Sequence, residues 1–380
     1  NQINNTVDIA YNVTEKPSSQ LELSGGWGGN TFVATVGVSF NNFSTRRFFD
    51  KTAWRPVPLG DAQNLSLRFQ TNGTYYKALA LSFTDPWLGG RKPNSFTFSA
   101  HISESNDALY AWQTATQYFR SIGVAAGLGK RLSWPDPYFT LYTELAYQRY
   151  ALKDWNYFIM KNGKANVVAL RAVLSRNSVD QPLYPRRGSE FTISAAITPP
   201  HSLWDGKDYS NKAMTDQERY RWIEYHKWSF KGEIFTKLVG DLVLMARAQF
   251  GYLGYYNRNW GYSPFEGFRV GGDGMSGYDT YGSEIVSLRG YENYSLTPEA
   301  SSTSTTGNYY AGNVYDKFTV ELRYPVILQP QSTIYALLFL EGGNCWSDIR
   351  DFNPFQIKRS AGVGVRVFLP MIGLLGVDWG

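Results

Sequence analysis

Residues 95–103 read "SFTFSAHIS", and the spacing within this stretch decides which kind of fold the chain adopts. Its apolar residues stand at every second position, with polar residues between them: Phe96, Phe98, Ala100 and Ile102 against Thr97, Ser99 and His101. Strict alternation sends successive side chains to opposite faces of an extended strand. The stretch therefore predicts a β-strand with one apolar and one polar face.

The same period of two recurs along the whole chain. It is clearest in "TFVATVGVSF" (31–40), "YFTLYTELAY" (138–147), "DLVLMARAQF" (241–250), "KFTVELRYPV" (317–326) and "SAGVGVRVFL" (360–369). Many of these stretches run for about ten residues, which suits a tilted membrane-spanning strand better than the shorter strands of soluble sheets. The pattern predicts about fifteen strands, near 19–27, 31–41, 64–71, 75–84, 95–103, 116–128, 138–149, 165–177, 189–198, 222–236, 239–254, 315–326, 332–341, 359–370 and 373–379.

The composition favours a membrane interface over a soluble enzyme or a nucleic-acid-binding protein. Aromatic residues make up 16% of the chain, with 27 Tyr and 12 Trp, and both residue types favour sites with one wet and one apolar side. The net charge of +5 is modest and its basic residues are scattered, which does not indicate a nucleic-acid partner. No apolar run approaches the ~18 residues of a transmembrane helix, whereas alternating strands cross a membrane as a closed barrel.

The connections between the predicted strands follow a barrel layout. Short turns such as "DPWLGG" (85–90) alternate with long polar loops, above all 201–221 and 256–313, as in an outer-membrane barrel. Residues 1–17 contain one isolated alternating segment that ends at a proline, which we interpret as the end of a preceding domain. We therefore expect an all-β transmembrane antiparallel β-barrel over residues 18–380, with one long loop folded inward.

The tetrapeptide "LRGY" (288–291) lies in the longest of these loops, and its surroundings carry a family resemblance. "PFEGFRVGG" (264–272) precedes it, and "VELRYPV" (320–326), "FLEGGNCW" (339–346) and "RSAGVGVRVFLP" (359–370) follow it. The order and spacing of these segments resemble the C-terminal barrel domain of the BamA-type family of outer-membrane assembly proteins. "FTDPWLGG" (83–90) extends a looser resemblance over the N-terminal half. In that family, the preceding domain is a periplasmic POTRA domain.

The resemblance assigns a role to the loop motif Leu288, Arg289, Gly290 and Tyr291. Alternation places Glu321 and Glu341 on the lumenal faces of their strands, and the family holds the motif arginine between acidic residues at these positions. The second of these is usually an aspartate, whereas this chain has Glu341. We expect Arg289 to pair with both carboxylates and Tyr291 to pack against Phe339. An alternative is a solvated loop arginine beside two unrelated carboxylates.

The two ends of the predicted sheet define a seam. The first strand contains Leu21, Glu22, Leu23, Ser24, Gly25, Gly26 and Trp27. Glycines weaken a strand and loosen its register, so this strand is either an openable edge or one arm of a plain hairpin. The chain stops at "LLGVDWG" (374–380), where the family continues with one more strand, so we expect sixteen intended strands with about fifteen present.

The resemblance implies assembly and insertion of β-barrel proteins into the outer membrane of a Gram-negative bacterium, with client strands templated at a lateral gate beside the first strand. The implied partners are nascent barrel proteins, accessory assembly lipoproteins, periplasmic chaperones, membrane lipid and lipopolysaccharide. A related two-partner secretion pore for polypeptides is the nearest alternative, and a passive solute porin is a more distant one.

No stretch of the sequence indicates an enzyme, a cofactor site or a metal site. The three histidines, His101, His201 and His226, lack metal-ligand spacing, and Cys345 has no second cysteine to pair with. The glycine-rich "GGDGMSG" (271–277) lacks the Gly-Lys-Ser/Thr ending of a phosphate loop. We assign no catalytic residue.

Overall fold

The alternating stretches form one antiparallel sheet in the computed structural model of the chain. The structure describes residues 19–28, 31–54, 56–73, 75–90, 92–108, 113–155, 158–211, 213–272, 283–300, 309–310, 312–329, 332–369 and 373–380. The predicted end of a preceding domain, residues 1–17, lies outside the described residues.

The large sheet has fifteen strands, each paired with the next one along the sheet. The first eleven are β1 (Ser19–Gly28), β2 (Thr31–Phe43), β3 (Gln63–Thr71), β4 (Tyr76–Asp85), β5 (Asn94–Asn106), β6 (Tyr118–Arg131), β7 (Phe139–Lys153), β8 (Gly163–Asn177), β9 (Gly188–Ile197), β10 (His226–Lys237) and β11 (Val243–Gly254). Four short strands stand apart from the sheet: β12 (Gly267–Val270), β13 (Ser283–Val286), β14 (Glu299–Ala300) and β15 (Tyr309–Tyr310). The sheet resumes with β16 (Val314–Gln329), β17 (Ser332–Trp346), β18 (Lys358–Leu369) and β19 (Gly373–Trp379).

The two faces of the sheet are inverted relative to those of a soluble protein. Through the middle of β16 and β17 the exposed side chains are apolar, including Val320, Leu338 and Leu340, of which Leu340 is 62% exposed. The charged side chains of the same strands, Glu321 and Glu341, are buried on the inner face. A strand whose outer face is apolar and whose inner face is polar is typical of a membrane barrel.

In the described part of the chain, helical structure is confined to short pieces in the connections. They are three 3₁₀ turns (Lys51–Ala53, His201–Leu203 and Ile349–Asp351) and α1 (Asp216–Arg219). Thr215 caps α1 in a capping box with Glu218, which orders part of a segment that we expected to be only polar loop. Among the described residues, no helix is long and apolar enough to cross a membrane.

The connections divide between two ends of the sheet. The end that we call the loop end carries segments 107–117, 154–162, 198–225, 255–313 and 347–357. The opposite end, the turn end, carries 44–62, 86–93, 132–138, 178–187 and 238–242. Because successive strands run in opposite directions, successive connections alternate between the two ends of the sheet. The sequence predicted all fifteen strands within a few residues, but it missed the four short strands inside the 255–313 segment.

The inverted faces predict the effect of a charge on the outer surface. Leu340→Arg should destabilise the folded barrel by about 2–4 kcal/mol, the cost of an arginine on the lipid face near the bilayer centre. Urea unfolding in lipid, followed by the heat-modifiable gel shift, measures this cost. The control is Leu203→Arg, because Leu203 is similarly exposed at 58% but lies in a loop-end connection. Equal effects of the two substitutions would contradict the assignment of the faces.

Candidate functional site

The long segment between β11 and β16 folds into the interior that the sheet encloses. β12 pairs in parallel with β13, and Leu288 then forms a single bridge with Gly272. Phe265, at the start of this segment, is fully buried against Tyr150 of β7, with ring centroids 4.5 Å apart. Leu288 is also fully buried. The segment therefore crosses the interior from β7, and it places the motif at residues 288–291 beside β16 and β17.

The structure places Arg289 between the two expected carboxylates. Arg289 Nη2 lies 2.7 Å from Glu321 Oε1 and 2.8 Å from Glu341 Oε1. The backbone amide of Arg289 donates to Glu341 Oε2 at 2.9 Å. The side chains of Glu321 and Glu341 are only 5% and 1% exposed. We call this group, Arg289 with Glu321 and Glu341, the loop clamp.

The two carboxylates also have partners on the wall itself. Glu341 accepts from Thr319 Oγ1 at 3.1 Å and lies 3.3 Å from Lys317 Nζ. Glu321 Oε2 lies 2.7 Å from Arg323 Nη2. Burial opposes the charge of Arg289, but its hydrogen bonds to Glu341 and Glu321 outweigh burial, so the pKa of Arg289 lies above its ordinary value.

The aromatic contact of the motif differs from our expectation. The Arg289 guanidinium lies 3.7 Å from the centroid of the Phe339 ring, a cation–π contact. Tyr291 instead donates through its hydroxyl to the backbone oxygen of Arg359 on β18, at 2.9 Å. Glu321 is paired with Phe339 across the β16–β17 ladder, and Glu341 lies two residues along β17. An arginine that reaches both carboxylates therefore places its guanidinium over this ring.

Two glycines make this close packing possible. Gly290 has a φ of +82°, and a Cβ there would come within 3.1 Å of Ser360 Cβ. Gly362, which faces Phe339 across the β17–β18 ladder, would place a Cβ 2.5 Å from the Phe339 ring. A side chain at Gly290 would press the motif away from β18, and one at Gly362 would collide with the backbone of β19 and with the Phe339 ring on which the Arg289 guanidinium lies.

The clamp extends to the last strand of the sheet. Arg289 Nη1 lies 3.6 Å from Asp378 Oδ1 on β19. Asp378 in turn accepts two parallel bonds of 2.8 Å from Arg366 on β18, the geometry that makes arginine–carboxylate pairs directional. A single loop arginine therefore connects to β16, β17 and β19, and Tyr291 adds β18.

A second ion-pair group anchors the base of the same loop. Lys227 Nζ on β10 lies 3.6 Å from Glu266 Oε2 and 3.6 Å from Glu284 Oε2. The same ammonium lies 4.7 Å from the centroid of the Phe268 ring. Lys227 is therefore surrounded by groups of the loop, and we call these residues the base anchor.

The connection between β8 and β9 folds inward at the turn end, below the clamp. Tyr184 is 1% exposed, and its single hydroxyl hydrogen is shared between the backbone oxygens of Arg323 and Asp241, which lie 2.9 and 3.1 Å from the hydroxyl oxygen. Its ring packs edge-on against Tyr335 of β17, with centroids 5.2 Å apart. This apolar group includes Phe339, so the ring beneath Arg289 is supported from the turn end as well.

The seam residues lie at the opposite edge of the sheet from β19. β1 pairs with β2 in an unbroken antiparallel register from Ser19 with Phe40 to Gly28 with Thr31. Leu21 and Leu23 are 66% and 69% exposed, and Glu22 pairs with Arg68 of β3 at 2.8 Å. Side-chain placement of Ser24, Gly25, Gly26 and Trp27 lies outside what the structure describes.

The space beside the clamp is polar and roomy. A cavity of about 670 Å³ is lined by Arg289, Glu321, Glu341, Arg366 and Asp378, among others. No cluster of metal-ligating side chains occurs among the described residues.

The sequence predicted Arg289, Glu321 and Glu341 as one group. It missed Lys317, Arg323, Asp378 and the base anchor, although the alternation already put Arg323 and Lys317 on the face of Glu321.

Loss of Arg289 should lower the free energy of unfolding of the barrel. Arg289→Ala leaves Glu321 and Glu341 buried without a central partner, and breaking a buried ion pair costs about 3–5 kcal/mol. Urea unfolding followed by the gel shift measures this cost. Arg350→Ala is the control, because its ion pair with Asp348 is exposed and exposed pairs contribute little. An Arg289→Ala barrel as stable as the Arg350→Ala barrel would contradict a structural role for the clamp.

Loss of the base anchor should loosen the loop with less effect on the sheet. Lys227→Met keeps the length of the side chain but leaves Glu266 and Glu284 without their shared cation. We expect faster hydrogen exchange in residues 265–272 and 283–288, with exchange in β10 itself nearly unchanged. Lys231→Met on the same strand is the control, because Lys231 pairs with Glu233 at 2.9 Å and is half exposed. Unchanged exchange in the loop would exclude Lys227 as an anchor.

Comparisons with known proteins agree with this geometry. The Omp85 superfamily domain matches residues 58–380. The chain is 26% identical to the outer membrane protein assembly factor BamA of Neisseria meningitidis serogroup B, over 95% of this chain and 41% of that protein. It therefore spans less than half the length of this relative.

Solved structures share the fold. BamA from Haemophilus ducreyi lacking POTRA domains 1–3 superposes with a TM-score of 0.66 at 17% identity, covering 96% of this chain and 66% of that one. CdiB from Acinetobacter baumannii gives a TM-score of 0.50 at 12% identity, covering 96% and 57%. The resemblance inferred from "LRGY" and its context is thus confirmed. The apolar outer face, the inward loop and these matches lead to one conclusion: the chain belongs to the Omp85 superfamily and forms an integral β-barrel of the bacterial outer membrane.

Proposed function

We propose that this barrel folds and inserts other β-barrel proteins into the outer membrane, with β1 as the template for a client strand. The sequence likeness to the BamA of N. meningitidis supports this choice within the superfamily. The partners would be nascent barrel proteins, and accessory lipoproteins, periplasmic chaperones and lipopolysaccharide are further candidates. The work is done by strand pairing, so no covalent chemistry and no cofactor are assigned.

The observation that carries the proposal is the one-sided stiffening of the sheet. The loop clamp and Tyr291 connect one loop to β16, β17, β18 and β19. At the other edge, β1 pairs only with β2 in the part of the chain that the structure describes. In this proposal the wall that the loop braces keeps its shape while the edge at β1, which the loop clamp does not contact, opens to a client strand.

β1 has the properties of a strand that accepts a partner. Among the described residues its outer backbone edge has no partner strand, and such an edge is a ready template for another strand. In a membrane, each unsatisfied backbone group costs several kcal/mol, so pairing with a client strand is strongly favoured there. Leu21 and Leu23 point outward and would continue the apolar face of the growing client sheet.

The alternatives differ in what must pass through the interior. A solute porin needs an open path, whereas the loop packs Phe265 against Tyr150 and the turn-end connection packs Tyr184 against Tyr335. A polypeptide-secreting relative remains the second candidate, since the same fold occurs in CdiB. The loop clamp is compatible with both functions, so identifying the polypeptide that depends on this protein distinguishes them.

The test is disulfide crosslinking in cells of the full-length protein with Cys345→Ser. Cysteines replace Leu21 or Leu23 on β1, and a series of single cysteines is placed in the terminal strand of a client barrel. We expect crosslinks that depend on register, because strand pairing aligns only certain positions. Leu79→Cys is the control, since Leu79 is also exposed to lipid, at 42%, but lies on β4, which is paired on both sides.

Two results would refute the template proposal. Efficient client assembly with no crosslink at Leu21 or Leu23 would move insertion away from β1. Unchanged levels of all barrel proteins on depletion, together with a polypeptide that accumulates in the periplasm, would instead establish the secretion function.

A further inference from the structure

The connection between β2 and β3, residues 44–62, displays an exposed aromatic group at the turn end. Phe49 is 93% exposed, and Phe48 and Trp54 are nearly half exposed. The ring of Phe48 lies 5.5 Å from the rings of both Phe49 and Trp54. Exposed rings that cluster in this way usually mark a surface that another phase or molecule covers. We call Phe48, Phe49 and Trp54 the aromatic group.

The segment that carries these rings is held in place by hydrogen bonds. Ser44 is fully buried; its hydroxyl donates to Asp61 at 2.6 Å and its backbone amide to Pro58 at 2.9 Å. The Thr45 amide donates to the side chain of Gln63 at 2.8 Å, and Trp54 Nε1 donates to the Phe48 oxygen at 3.1 Å. The rings are therefore presented by an ordered scaffold and cannot be attributed to an unstructured loop.

The base of this segment is continuous with the lipid-facing side of the sheet. Phe43, the last residue of β2, packs edge-on against Phe83, with ring centroids 6.2 Å apart. Phe83 is aligned with Phe98 across the β4–β5 ladder, and Phe98 is one of the exposed apolar residues of the outer face. The aromatic group thus begins where the apolar outer face ends, at the height of the membrane–water interface.

Basic residues surround the aromatic group. Arg46, Arg47 and Lys51 are exposed. Among the described residues none of the three forms a close ion pair with a carboxylate, although Arg47 interacts electrostatically with the exposed Asp50 of the same segment. Aromatic rings beside exposed cations match the boundary between acyl chains and anionic headgroups. In outer-membrane barrels the short turns face the periplasm, so the turn end adjoins the phospholipid leaflet.

We propose that residues 46–54 form a binding site for anionic phospholipid at the periplasmic face of the barrel. The aromatic group enters the interfacial layer of the bilayer, and Arg46, Arg47 and Lys51 contact the phosphate groups. The site lies on the connection that follows β2, the only described partner of β1. The inference does not depend on the proposed function, because a secretion pore with this loop would bind the same lipid.

The first test measures the depth of the aromatic group. A nitroxide is attached at Phe49→Cys in full-length protein with Cys345→Ser, in nanodiscs that contain phosphatidylglycerol. We expect the label to be accessible to oxygen and protected from a water-soluble nickel chelate. Asn259→Cys, exposed at the loop end, is the control and should be accessible to nickel. A nickel-accessible label at Phe49 would overturn the proposal, and so would shielding from both reagents, which indicates coverage by protein.

The second test measures the charge contribution. Native mass spectrometry compares retention of phosphatidylglycerol and phosphatidylcholine by the variant Arg46→Gln, Arg47→Gln, Lys51→Gln. Each removed cation should weaken retention of the anionic lipid about five-fold, from about 1 kcal/mol per basic residue near an anionic surface. Retention of the neutral lipid should not change, and the heat-modifiable gel shift should confirm that the variant folds.

The matched control removes the same number of exposed cations at the loop end, with Lys153→Gln, Lys207→Gln and Arg258→Gln. It should retain phosphatidylglycerol as the unmodified protein does. An equal loss in both triple variants would mean that only the total charge matters, which would overturn a specific site. Full retention in the variant of Arg46, Arg47 and Lys51 would overturn it as well.

Discussion

The structure depends on one partly buried loop cation, Arg289, held between the buried carboxylates of Glu321 and Glu341. Charges removed from water are tolerated only when they are paired and hydrogen-bonded, and here the partners come from two neighbouring strands. Thr319, Lys317 and Arg323 satisfy the remaining carboxylate positions. The long loop therefore has one favourable position inside the barrel, and β16 to β19 form a wall that is braced from within.

This arrangement follows from the inversion of the two faces of the sheet. Because lipid covers the outside, the apolar positions of each strand point outward and the polar positions point into the interior. The interior can then hold an ion-pair network that a soluble barrel core would exclude. The base anchor at Lys227 and the packed turn-end connection around Tyr184 hold the loop and its supporting ring from two further directions. The interior is thus organised around the loop, while β1 lies outside this network.

The strands and the central ion pairs could be predicted from the sequence because they follow from local alternation. Contacts that do not follow from local alternation could not be predicted. Alternation is a local property, so the positions of the fifteen strands and the inward direction of Glu321 and Glu341 followed directly. Contacts between residues far apart in sequence did not. No sequence spacing indicates that Lys227 pairs with Glu266 and Glu284. In the same way, we expected Tyr291 to pack on the Phe339 ring, which the Arg289 guanidinium covers instead. The short parallel pair β12–β13 is stabilised by its place in the interior rather than by its own pattern, so propensity alone missed it.

A double-mutant cycle between Arg289→Met and Glu341→Gln in the full-length protein would measure the role of the loop clamp. It is read both as the free energy of unfolding and as the level of assembled client barrels. Residues in one ion-pair network typically couple by about 0.5–3 kcal/mol. We expect coupling toward the upper end of this range, and client levels that fall with the stability of the barrel across the four proteins of the cycle. Additive effects on stability, or client levels that do not change when the loop clamp is lost, would contradict a clamp that braces the barrel for assembly.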